Sequence, residues 1–175
     1  MSEFMPLVAP DDLPADLRAQ WDATTRPGLR DFMRLMAHAP DHFRRYNEVY
    51  GQLRFDNHLG VRVTELVRIA VSQTTQCQVC MAGRLPAAVA EGVTEDVVCQ
   101  INAAHRPDMS PAESAAVNFA LKFANDHQSI TDADKQALRE HFTPEQVVEL
   151  ALLCVMCLVG RFSNIVGLLE DGLPG

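Results

Sequence analysis

Two cysteines three residues apart, Cys77 and Cys80 in QTTQCQVCMAGR, are the residues of this sequence best suited to chemistry. Thiols at that spacing can close a disulfide, hold half of a metal site, or sit in a core as small hydrophobes. Polar Thr74-Thr75-Gln76 precedes them and an apolar helical pattern follows, which puts the pair at a helix N-terminus. Free backbone N–H groups and the helix dipole at that end favour the thiolate, the nucleophilic form. Both sulfurs then lie on one face of the first turn, near enough to bond. Arg84, four residues beyond Cys80, extends that face along a continuous helix and adds a fixed positive charge. A redox pair outweighs simple burial here. By electrostatics alone, Cys77 is nearer the helix N-terminus and has the lower pKa of the two.

A second pair, Cys154 and Cys157 in LALLCVMCLVG, has apolar neighbours on every side. Apolar burial raises a thiol pKa and leaves it inert, so this pair reads as core. Zinc sites built from two such pairs set each on a turn, whereas here the second is mid-helix and 74 positions from the first. Among six histidines only His38 and His42 have a metal-binding spacing, and Ala39-Pro40 between them disfavours a helical pairing. No metal and no cofactor are expected. The fifth cysteine, Cys99, makes the number odd, which argues against a structural disulfide framework.

Elements that must position the first pair are all helical. Amphipathic patterns occupy 11–24, Leu29 to Ala37, Asp41 to Leu53 and a segment from Thr64 to Thr74. Thr64 is a candidate N-cap, and Gly60 a stop for the preceding helix. From Cys77 one helix is expected to run to Gly92, irregular at Pro86. Thr94 to Ala104 forms another. Ser110-Pro111-Ala112-Glu113 and Thr143-Pro144-Glu145-Gln146 are strong start signals, a capping residue with proline at N1 and an acid or amide at N3. A helix from Thr131 to His141 lies between the two helices they start. Alternating β patterns and hairpin turn signals are absent, so the fold class is all-α. The 175 residues suit a single domain, 1–175.

The formal charge of −8 and the lack of any basic run argue against nucleic acid and anionic membrane surfaces. The N-terminus lacks the cationic start and apolar core of a signal peptide, and the apolar run ALLCVMCLVG is half of a membrane span. A cytoplasmic protein is expected. The final helix is apolar all round from Val147 to Val159, more than a small domain encloses alone, which points to a homo-oligomer. Trp21 and the Phe32-Met33-Leu35-Met36 cluster read as N-terminal core or packing over a pocket. Tyr46 and Tyr50, one turn apart, read as core that can line a pocket. His105 falls in a loop, and Arg161 is expected to pair with a carboxylate.

Glu65, twelve residues before Cys77, completes a pattern. A glutamate on one helix, twelve residues, then Cys-x-x-Cys opening the next helix resembles the AhpD-like, or carboxymuconolactone decarboxylase-like, family. RLPAAVAEGVTEDVV and LLCVMCLVGRFSNIVGL also resemble that family, so the likeness extends over 40–168, with 1–39 as an N-terminal helical extension. The resemblance implies a helical fold assembled as trimers or hexamers, and an antioxidant peroxidase with peroxiredoxin activity. It implies that Cys80 attacks a hydroperoxide, that Cys77 resolves the product as a redox-active disulfide, and that an external dithiol reduces it. Glu65 is implied in a proton relay with a histidine four residues after the second cysteine. Arg84 stands there instead, and Val79 stands where some members carry another histidine. Arginine can stabilise a thiolate or pair with Glu65 but cannot shuttle protons near neutrality.

The candidate site is therefore Cys77, Cys80, Glu65 and Arg84, in a thiol-dependent oxidoreductase. Two alternatives stand beside it: a lyase of the decarboxylase branch, which does not rely on Cys-x-x-Cys, and a non-catalytic helical oligomer that binds a small ligand.

Overall fold

The computed structural model describes residues 4–169, so the ends of the expected 1–175 domain lie outside it. Eleven α-helices are present among the described residues and no strand. Helices α1 (Ala15–Ala23), α2 (Pro27–Met36) and α3 (Pro40–Phe55) lead into α4 (Val61–Thr74), the centre of the fold. Ten consecutive α4 residues, Val63 to Ser72, are buried. That is possible because Val, Leu, Ile and Ala cover most of its circumference, and its two buried charges, Glu65 and Arg68, neutralise one another. Gly60 does not stop α3. It precedes α4 with φ +81°, a left-handed conformation that any side chain would strain. Helix α4 thus starts three residues before Thr64, whose buried hydroxyl meets Asn57 Oδ1 at 3.2 Å.

The expected helix from Cys77 to Gly92 is two short ones, α5 (Gln78–Met81) and α6 (Pro86–Ala90). Pro86 explains the break, because it lacks an N–H and its ring clashes with the carbonyl four residues back. It occupies the first position of α6 instead, where both defects are harmless. Helix α7 (Glu95–Cys99) is also shorter than expected. The Arg106 guanidinium donates to the carbonyls of Gln100 and Ile101, stabilising a turn in place of continued helix.

Helices α8 (Pro111–Asn125), α9 (Asp132–His141) and α10 (Pro144–Cys157) each begin with a complete capping box, from Ser110, Thr131 and Thr143. Helix α11 (Gly160–Val166) follows after a break at Leu158-Val159. Together Pro144–Val166 reach the length and apolarity of a membrane span, longer than the run evident in the sequence. In the fold, α10 packs against α3, α4 and α8 through Leu150, Leu153, Cys154 and Cys157. It is not enclosed on every side: Val148, Leu152 and Val155 are exposed along one stripe. Among the described residues Arg161 meets no carboxylate, contrary to expectation, and donates to the Ala124 carbonyl.

The N-terminal helices complete the cysteine region. Leu35 of α2 is fully buried in one cluster with Cys77, Val79, Val166 and Leu168. Trp21 lies between the guanidinium groups of Arg18 and Arg30, 5.2 and 4.3 Å from their carbons.

Candidate active site

Helix α4 ends at Thr74, and the chain must reverse within two residues to bring Cys77 back against it. Gln76 makes that reversal with φ +56°, uncommon for a residue with a side chain, and its amide donates to the Gln73 carbonyl at 2.8 Å. Cys77 caps α5, its sulfur accepting the Cys80 N–H at 3.2 Å. The two cysteines are joined as a disulfide, with Cα atoms 5.2 Å apart.

Their surroundings differ. Cys77 is 1% exposed and pressed against α11, where a Cβ placed on Gly160 would lie 2.7 Å from the Cys77 Cβ. Only glycine allows that approach. Gly160→Ala is expected to displace α5 and destabilise the protein by about 1–3 kcal/mol, read as a lower urea midpoint with an unchanged slope. Cys80 is partly exposed and lines a cavity of about 490 Å³ that opens to solvent. Leu29, Phe32 and Met33 from α2, with Phe43, Tyr46 and Tyr50 from α3, form its apolar walls.

A buried ion pair holds this arrangement. Glu65 and Arg68 are 1% and 4% exposed, and Arg68 donates to both carboxylate oxygens at 2.8 and 2.7 Å. The remaining guanidinium N–H groups reach the carbonyls of Cys80 and Gly83, at 2.6 and 2.7 Å. Glu65 also accepts the Leu85 N–H at 2.9 Å and a 3.4 Å contact from Arg54. The pair thus ties α4 to the segment from Cys80 to Leu85. Burial pushes the Glu65 pKa up, but the Arg68 hydrogen bonds and charge outweigh it, and the net shift is downward. For Arg68, burial pushes down and Glu65 pushes up more strongly. Both are charged.

Arg84 differs from expectation in place and partner. Because α5 ends at Met81, Arg84 lies in the loop before α6 rather than on the cysteine face of a helix. It bonds to Glu95 at 2.8 and 3.0 Å, not to Glu65, and still lines the cavity. None of the six histidines lines the cavity. Cys157 does, and burial pushes its thiol up to about 11, while Cys154 is fully buried and pushed further up. Both remain neutral thiols, as the apolar sequence context implied.

Sequence reasoning brought Glu65, Cys77 and Cys80 to one place but missed Arg68 and Arg54. The signal for Arg68 was present: ELVR sets opposite charges three apart within a helix otherwise apolar enough to be buried. Arg54 carried no such signal, since it reaches the cavity from the polar end of α3.

Comparison with known proteins agrees with the helical fold. Residues 40–126 match the carboxymuconolactone decarboxylase family. Among curated proteins, none matched the sequence. A solved structure described as an alkylhydroperoxidase AhpD core, an uncharacterized peroxidase-related protein from Ralstonia eutropha JMP134, superposes with TM-score 0.76 at 25% identity. That match covers 95% of this chain and 90% of the other. An uncharacterized peroxidase-related protein from Silicibacter sp. TM1040 shares the fold with TM-score 0.76 at 14% identity, over 98% and 92% of the two chains. So does a cysteine-to-alanine variant of the debrominase Bmp8 in complex with 2,3,4-tribromopyrrole, with TM-score 0.74 at 14% identity, over 98% and 94%. Residues 40–126 thus belong to the carboxymuconolactone decarboxylase family, and the chain has the helical fold of AhpD-like proteins.

Proposed function

We propose that the protein reduces hydroperoxides through the Cys77/Cys80 pair. The observation that carries this reading is the unequal access of the two sulfurs: Cys80 borders the cavity, whereas Cys77 is buried against α11. Access therefore outweighs the slight electrostatic advantage of Cys77 at the start of a helix only four residues long. In the reduced protein the Cys80 thiolate attacks the outer peroxide oxygen. The O–O bond breaks, an alkoxide leaves and takes a proton from solvent, and Cys80 becomes a sulfenic acid. The Cys77 thiol attacks that sulfur, water leaves, and the disulfide forms. An external dithiol returns both cysteines to thiols and is itself oxidised to a disulfide. Each cycle consumes one hydroperoxide and one dithiol and yields an alcohol, water and the oxidised reductant.

Glu65 in this reading positions the turn. All of its hydrogen-bonding partners are fixed donors, so a proton relay through it has no outlet. Arg84 lines the same cavity with its charge paired to Glu95. The reading is tested by mapping disulfides by mass spectrometry in the reduced protein before and after one equivalent of peroxide. A new Cys77–Cys80 bond is expected, and free thiols at both positions afterwards would remove the central step. The need for reduced thiols at the start of each cycle suits a cytoplasmic setting.

We also propose that a second copy of the chain covers the exposed α10 stripe in a homo-oligomer. Val148, Leu152 and Val155 are 47–58% exposed and follow helical spacing, with Val49 of α3 exposed as well. Leu152→Glu is expected to lower the mass seen by analytical ultracentrifugation to that of one chain. An unchanged assembly would exclude this face as the interface.

A further inference from the structure

The cavity beside Cys80 carries two polar atoms that the fold leaves unsatisfied. Arg54 Nε and Ser163 Oγ are buried with no hydrogen-bond partner among the described residues, and both residues line the cavity. Ser163 is 2% exposed. A buried N–H or hydroxyl without a partner is unfavourable, and native structures rarely keep one unless something else fills its place.

The charge of the lining indicates what that is. Arg26, Arg54, Arg68 and Arg84 border the cavity and, among the described residues, no aspartate or glutamate does, in a chain whose formal charge is −8. At least two of these charges are already matched. Arg68 is bound to Glu65 through both carboxylate oxygens, and Arg84 is bound in the same way to Glu95. Arg26 donates to the Val79 carbonyl. Arg54 has only the 3.4 Å contact to a carboxylate that Arg68 already neutralises. The cluster of Glu65, Arg68 and Arg54 thus keeps one surplus positive charge at the cavity wall. Its guanidinium lies over Tyr50 and Phe55, 5.7 and 5.1 Å from the ring centres, which holds it in place without neutralising it.

The remaining lining is apolar and aromatic, and about 490 Å³ suits a small organic molecule. Ser163 lies three residues from both Gly160 and Val166, the α11 residues that pack against Cys77, so it borders the cavity from the cysteine side. Arg54 comes from α3 and marks a different wall. We infer that the cavity selects a singly charged organic substrate with a ring-sized apolar body, its carboxylate on Arg54 and its reactive end at Cys80 beside Ser163. The peroxide identity of that reactive end rests on the function proposed above; the carboxylate site does not. One surplus charge favours a carboxylate over a doubly charged phosphate, and an unpartnered guanidinium N–H favours an anion over a neutral ligand.

The test uses two matched pairs. In the first, the unreactive para-isopropylbenzoate and its amide are titrated calorimetrically into the intact disulfide protein. The acid is expected to bind about tenfold or more tightly than the amide, as a charge-assisted hydrogen bond implies. Arg54→Gln should remove that preference, and Arg54→Lys, which keeps the charge, should retain part of it; thermal melts establish that each variant is folded. Equal binding of acid and amide, or a preference that survives Arg54→Gln, overturns the inference. In the second pair, cumene hydroperoxide and its para-carboxylate are compared as oxidants of the reduced protein. A higher kcat/KM for the carboxylate, lost through KM in Arg54→Gln, supports the full proposal. If the acid binds through Arg54 and neither hydroperoxide is consumed, the anion site stands and the peroxide chemistry falls.

Discussion

Replacing Cys80 with serine is expected to reduce peroxide-dependent oxidation of a dithiol to background, while Cys77→Ser gives a different defect. Without Cys80 no sulfur borders the cavity at the cysteine turn, because Cys77 is buried against Gly160 of α11. Without Cys77 the attacking sulfur is intact but unresolved. That variant should react once with peroxide, accumulate a Cys80 sulfenic acid that a dimedone probe traps, and then stop. Loss of a nucleophile that acts at the reacting atom typically lowers the rate by several orders of magnitude, so the contrast is large (about 10³-fold or more). Two assays separate the outcomes, steady-state dithiol consumption and single-turnover trapping. Full turnover in Cys80→Ser would end the proposed mechanism. Trapping at Cys77 in place of Cys80 would reverse the roles of the two sulfurs.

Glu65→Gln is expected to destabilise the fold by about 3–5 kcal/mol, because it strips a buried arginine of its counter-charge while leaving the shape of the site almost unchanged. Arg68 would remain buried and charged, facing only neutral acceptors: the new amide oxygen and the carbonyls of Cys80 and Gly83. Arg68→Met in the same background should recover much of the loss, since removing both charges avoids the desolvation that one alone suffers. The effect depends on pH with a definite sign. The Glu65 pKa in the folded protein lies below its ordinary 4.5, so the ionised carboxylate contributes stability fully above that value. The contribution declines as pH falls below 4.5 towards and through the folded pKa. Wild type and Glu65→Gln should therefore converge in urea-unfolding free energy as the solution is acidified. A difference that persists unchanged into acid, or a variant as stable as wild type at neutral pH, would show that the ion pair does not hold the turn.

These two experiments address features of different legibility. The cysteine pair, its glutamate and the all-helical class were evident from spacing and composition, because helix periodicity and capping residues act over a few positions of sequence. Ser110 and Thr143 start helices in the structure as their capping boxes predict. Arg84 shows where local reasoning failed. Its place four residues after Cys80 has meaning only on a continuous helix, and Pro86 breaks that helix by a clash weighed too lightly against the apolar pattern. The capping role of Gly60 was misread for a similar reason, since a glycine between two helices can end one or precede the next.

The sequence by itself determined that two thiols would sit together at a helix start, with a carboxylate one helix earlier. Only the tertiary structure decided which sulfur borders a cavity, which arginine pairs with Glu65, and which is left with surplus charge. Those outcomes depend on juxtapositions of residues distant in sequence: Gly160 against Cys77, Arg68 across to Cys80, and Arg54 and Ser163 on different walls of one cavity. Spacing along a helix sets which residues share a face. Burial and partner choice arise only when the faces of different helices close on one another, and here that closure separates a buried sulfur from an accessible one.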